Sequence, residues 1–224
     1  MSLKPLKISE RKKEQSEINQ KLERRRKEIL DDIPPYTYII CEGVKTEPIY
    51  ISGFADAINK KYSELSSGKI IQVRGTGRNT RSLLKYARKQ VIRDFPQASI
   101  VWLMYDKDDF PLDNFDNTQH SIETREDTRR YKAAWSNEAI ELWFVLHFQE
   151  LDADNGRNHY CEILKRYFDY EKTLPNLYEI LKDQTNIAVQ RAKRQFEAYG
   201  DIPPSQKCPA TRVFELVEEL QNYL

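Results

Sequence analysis

The sequence predicts an α/β fold built on a mostly parallel sheet, and three observations lead to it. The apolar runs at 36–41 and 99–105 are continuous rather than alternating, the pattern of strands buried on both faces. Strand-like and helix-like segments alternate from Tyr36 to Phe148. Both runs end abruptly in acid, Glu42 in one case and Asp106, Asp108 and Asp109 in the other. Carboxylates so placed emerge at the carboxyl ends of buried strands, where open α/β sheets form ligand sites, and they point to a divalent metal.

Residues 1–33 are read as a charged N-terminal helix. The stretch 8–30 has good helix formers, Ser9 as a cap and almost no aliphatic stripe, so it projects or docks on a partner rather than burying itself. Its Arg24-Arg25-Arg26-Lys27 cluster is either a phosphate contact or a solvated helix face, and Pro34-Pro35 ends the segment. The core, 34–150, carries expected strands at 36–41, 69–74, 99–105 and 131–135 and helices at 47–62, 79–93, 118–130 and 137–148. From 151 to 224 amphipathic runs at 158–170, 175–182, 184–198 and 209–223 predict a helical C-terminal extension without a strand.

The chain of 224 residues is long enough for one sizeable core, and no Gly/Ser linker divides it. Its 36 basic and 35 acidic side chains give a formal charge of +1, so any attraction for nucleic acid must be local. Cys41, Cys161 and Cys208 are odd in number and unpaired in spacing, which argues against a disulfide framework or a structural zinc site. The absence of an eighteen-residue apolar run or an apolar leader leads to the expectation of a cytoplasmic protein without membrane association.

Two carboxylates about 4 Å apart repel by roughly 4 kcal/mol at an effective dielectric of 20, which a fold tolerates when a cation or a proton lies between them. Mg²⁺ (or Mn²⁺) supplies that charge, prefers hard oxygen ligands and bridges carboxylates to phosphate. Acids after a strand also form simple turns and caps, so it is the combination of Glu42 with the later acidic run that carries the metal reading.

Four ordered motifs support a resemblance. A strand followed by Glu-Gly and, later, a strand followed by Asp-x-Asp resembles the Toprim arrangement of topoisomerases, bacterial primases and OLD-type nucleases. CEGVKTEPIY at 41–50, MYDKDDF at 104–110, SNEAIELWFVLHF at 136–148 and PATRVFELVEEL at 209–220 resemble, more closely, the RloB-like (AbiLii-like) family. The resemblance implies a Toprim-like nuclease of prokaryotic antiviral defence loci, working beside an ATPase partner. It places the principal site on Glu42, Asp106 and Asp108, and the family's accessory positions on Lys45, Ser136, Glu141 and Trp143.

Asp106 and Asp108 are then assigned as Mg²⁺ ligands, directly or through water, and Glu42 as a ligand or as the base for the attacking water. Asp109 and Glu138 are candidates for a second metal, whereas Glu47 reads as a first-turn helix acid. Glu141 either reaches the metal site or is an acid satisfied by backbone N–H groups or an arginine. The turn Val73-Arg74-Gly75-Thr76-Gly77-Arg78-Asn79-Thr80-Arg81 opens a helix, so Arg74, Arg78 and Arg81, with Lys45, are candidate phosphate contacts. His147 and the tryptophans 102, 135 and 143 are read as packed core groups. Gly43-Val44-Lys45-Thr46 lacks the P-loop spacing, which disfavours an ATPase. The alternative in a different class is a noncatalytic binding module for nucleic acid or a partner.

Overall fold

The computed structural model describes residues 15–21, 33–108, 112–124 and 127–224. Residues 15–21 are helical and exposed; the rest of the expected N-terminal helix, with its arginine cluster, lies outside the described residues. In chain order the elements are β1 (Thr37–Cys41), α1 (Thr46–Lys61), β2 (Ile71–Gly75), α2 (Thr80–Asp94), β3 (Ile100–Asp106), α3 (Leu112–Glu123) and β4 (Arg130–Asn137). There follow α4 (Glu141–Val145), α5 (Gly156–Tyr167), α6 (Leu177–Leu181), α7 (Thr185–Ala198), β5 (Ala210–Thr211) and α8 (Val213–Gln221).

The sheet has five strands in the order β2-β1-β3-β4-β5, the first four parallel and β5 antiparallel. Side chains alternate between its faces. Ile39, Cys41, Trp102, Met104 and Ala134 face a core formed with α1 and with the helices after Asn137, whereas Tyr38, Ile40, Val101, Leu103 and Trp135 face α2 and α3. Both faces are covered, which is why β1 is apolar from Tyr38 to Cys41 and β3 from Ile100 to Tyr105. The order 2-1-3-4 makes the carboxyl ends of β1 and β3 the point where successive connections leave in opposite directions, the place where open α/β sheets form their ligand sites.

Three sequence expectations are corrected. The third helix is Leu112–Glu123, not 118–130. Burial of Phe115 and Ile122 on the sheet outweighs the poor helix propensity of its Asp and Asn residues. The fourth strand runs on to Asn137 because Ser136 and Asn137 pair with Thr211 and Ala210, so the helix expected at 137–148 shrinks to Glu141–Val145. That pairing also adds a strand in the last third, where none was expected, and delays the last helix to Val213. Among the described residues no helix is long and apolar enough to cross a membrane.

Candidate active site at the carboxyl ends of the central strands

Glu42 leaves β1 with its N–H donating to the Met104 carbonyl at 2.8 Å, so the β1–β3 pairing continues one step past the strand. Its Oε2 accepts from the Thr80 hydroxyl at 2.9 Å and from the Asp106 N–H at 3.4 Å. The glycine turn after β2 is tied to the same place: Thr76 N–H donates to Cys41 O at 3.1 Å and Gly77 N–H to Glu42 O at 2.8 Å. Gly77 adopts φ +65, a conformation costly for residues with a Cβ. Burial pushes the Glu42 carboxyl up to about 7, against the hydrogen bonds from Thr80 and the Asp106 N–H that lower it.

Asp106 is the last residue of β3, and Asp108 follows with φ 44, its N–H donating to Glu138 O at 3.2 Å. Arg157, at the start of α5, reaches both acids. Its Nη2 donates to Asp106 Oδ2 at 3.4 Å and to Asp108 Oδ1, and its Nε lies 3.9 Å from Glu141 Oε2. Its own N–H donates to Glu138 Oε2 at 2.9 Å, which seats the helix start on the end of β4. Burial, with the charges of Glu47 and Glu141, holds the Asp106 carboxyl well above the usual range despite Arg157. Burial pulls the Arg157 guanidinium down, yet Asp106, Asp108 and Glu141 outweigh it and hold it above its ordinary value.

Glu47 and Glu141 form a buried second layer. Glu47 Oε1 accepts the Gly43 N–H at 3.1 Å, and a Cβ on Gly43 would lie 2.3 Å from Glu47 Oε2, so glycine is what lets this acid fold back. Glu47 is thus a first-turn acid, as expected, and also a buried one whose carboxyl burial raises. Glu141 accepts from Tyr170 OH at 3.1 Å and lies 3.7 Å from Lys172 Nζ.

The strand ends therefore bring Glu42, Asp106, Asp108, Glu138 and Glu141 to one place; Asp109 lies outside the described residues. Lys45 is exposed at the start of α1. Arg74 pairs with Asp94 at the far end of α2. Arg78 is exposed and stacks on Tyr86 at 4.2 Å, and the side chain of Arg81 is outside what the structure describes. Thr80, Arg157 and Lys172 were not anticipated. Thr80 had a signal, its place one residue past an N-cap asparagine in the glycine turn; Arg157 had only the turn Asp154-Asn155-Gly156 before it.

All the acids are hard oxygen donors, and burial of negative charge at Asp106 and Glu42 is the condition a divalent cation relieves. The arrangement meets this demand with Arg157, and among the described residues no group of three His, Cys, Asp or Glu side chains is set to hold an ion. The donors fit a cation in kind, with a guanidinium standing where part of its charge would be.

A family model described as RloB-like protein matches residues 37–220. The chain belongs to the RloB-like family. The match takes in every strand of the sheet, both acid-bearing strand ends and Arg157. No curated protein and no solved structure matches this RloB-like chain.

Proposed function

We propose that this RloB-like protein is a metal-dependent phosphodiesterase of the Toprim type that hydrolyses nucleic acid, an effector of antiviral defence working with an ATPase partner. The observation that carries the reading is the joining of Glu42 to Asp106 across β1 and β3 at the switch point of a parallel sheet, with Asp108 beside them. Asp106 and Asp108 would hold Mg²⁺ or Mn²⁺. A bound ion supplies charge for the phosphoryl oxygens and lowers the pKa of a water.

The chain's own groups do the rest. Glu42, pushed up to about 7 by burial, accepts and returns a proton near neutral pH, and Thr80 and the Asp106 N–H fix its carboxylate. Arg157, bonded through Nη2 to Asp106 and Asp108, fixes a positive charge beside both acids that would stabilise an anionic oxygen. Glu47 and Glu141 hold the surrounding charge negative.

The pairing of Arg157 with both aspartates favours a second reading, a noncatalytic module in which the acids are structural. One experiment separates them: cleavage of labelled single-stranded, double-stranded and transfer-type nucleic acids, with Mg²⁺, Mn²⁺ or EDTA, by wild type, Glu42→Gln and Asp106→Asn, with and without the ATPase. Metal-dependent cutting reduced at least about 10²-fold in both variants supports the enzyme. Binding with no cutting under any condition leaves the module.

A further inference from the structure

We infer that the exposed face of α2 is the track along which the sugar-phosphate backbone of a nucleic acid lies, an inference that rests on the proposed substrate class and places it on the molecule. Lys85, Arg88, Lys89, Ile92 and Arg93 are exposed, whereas Leu83, Ala87, Gln90 and Val91 are buried. At 100° per residue the first set spans one side of the helix and the second set the opposite side. Lys85, Arg88 and Lys89 make no ion pair or hydrogen bond among the described residues. Arg93 shares Asp94, the helix's one acid, with Arg74.

This arrangement is unfavourable by itself. Lys85 and Lys89, and Lys89 and Arg93, are like charges at i,i+4, which destabilise a helix. The chain as a whole is nearly neutral at +1, so such a stripe is a local concentration rather than a general bias. Ile92, 63% exposed in its middle, is the apolar surface that a bound partner would cover.

Position supplies the second argument. The first residue of α2 is Thr80, which donates to Glu42, so the helix begins at the candidate active site and runs away from it. Arg78 stacks on Tyr86 at 4.2 Å and extends the cationic line to that end. From Lys85 to Arg93 the rise is about 12 Å. Measured along a duplex axis, where one strand carries one charge per about 3.4 Å, that length corresponds to roughly three to four phosphates.

The test is equilibrium binding of labelled single-stranded and duplex DNA and RNA in EDTA, where no cutting complicates the reading, over a series of salt concentrations. The triple variant Lys85→Ala, Arg88→Ala, Lys89→Ala is compared with wild type and with Lys165→Ala, Arg166→Ala, which removes exposed cations from α5. The expected result is at least about tenfold weaker binding for the triple variant, with the slope of log K against log salt smaller by about 2 to 3, and no change in the α5 variant. The substrate with the largest loss identifies the nucleic acid. Wild-type affinity and slope in the triple variant, an equal loss in the α5 variant, or no binding by wild type overturns the inference. Binding lost in the triple variant without any cutting by wild type in metal keeps the track and removes the nuclease; cutting with unchanged binding does the reverse.

Discussion

His147 is held neutral by its surroundings. Its Nδ1 meets the Trp143 carbonyl at 3.0 Å, its Nε2 is buried without a hydrogen-bond partner among the described residues, and the rings of Trp143 and Tyr50 flank it. Burial, with a smaller push from Arg191, lowers its pKa from 6.5 to about 4. Below pH 6.5 the unfolded chain takes a proton that the folded chain refuses, so this group's contribution is complete above pH 6.5 and is lost as pH falls towards 4. Urea unfolding at pH 7 and 4.5 should show wild type losing about 2 to 3 kcal/mol more than His147→Gln. Equal losses would sink the claim. Arg157 gives the second prediction at this scale. Arg157→Ala leaves Asp106, Asp108 and Glu141 without their shared guanidinium, so stability at neutral pH should fall by about 1 to 3 kcal/mol. Apparent Mn²⁺ affinity by electron paramagnetic resonance should rise at least about tenfold, because a competing cation is gone. Unchanged Mn²⁺ affinity would show that the arginine and the ion do not compete. Glu42, Asp106 and Asp108 were legible in the sequence because an apolar run that ends in acid is a local signal. Arg157 was not, since its partners lie about fifty residues back and only the fold brings them together.

Elements are positioned by close backbone approaches as much as by apolar faces. Gly75 ends β2 opposite Cys41, and a Cβ there would lie 2.6 Å from the Gly43 carbonyl and 2.8 Å from Val44 Cα. Both obstacles are backbone and cannot rotate away. Gly75→Ala should therefore part β2 from the turn after β1, at a cost of about 2 kcal/mol and a Tm drop of roughly 4 to 8 °C. Gly68→Ala, where no atom of the described residues lies within 4 Å of the added Cβ, should change stability by less than about 0.5 kcal/mol. Equal Tm values for the two variants would refute the argument. The elements with a full hydrophobic period were legible, and β1, β2, β3, α1 and α2 lie within about two residues of expectation. The ones missed were those whose cause is distant. β5 is two residues long, Ala210–Thr211, and exists because Ser136 Oγ and Thr211 Oγ1 meet at 2.9 Å and Arg212 N–H donates to Trp135 O at 2.7 Å.

At the scale of the molecule, the helices after Asn137 are part of the core that supports the sheet. One face of β1 and β3, through Ile39, Trp102 and Met104, shares a single buried cluster with Tyr160 and Leu164 of α5, Leu181 of α6, Ala188 of α7 and Leu216, Val217 and Leu220 of α8. Trp102 Nε1 donates to Glu219 at 3.2 Å, so even the polar edge of the central tryptophan depends on α8. Arg157 brings the same region into the acidic site. Removal of residues 151–224 would uncover these apolar side chains, each costing about 1.5 to 3 kcal/mol when exposed, against a total stability of only about 5 to 15 kcal/mol. A chain ending at Glu150 should thus be unfolded or aggregated, and calorimetry of the full chain should show one transition whose calorimetric and van't Hoff enthalpies agree. A folded 34–150 fragment, or two resolved transitions in the full chain, would show that the sheet and the later helices are separate cooperative units and that Arg157 reaches its aspartates across a boundary rather than from within one core.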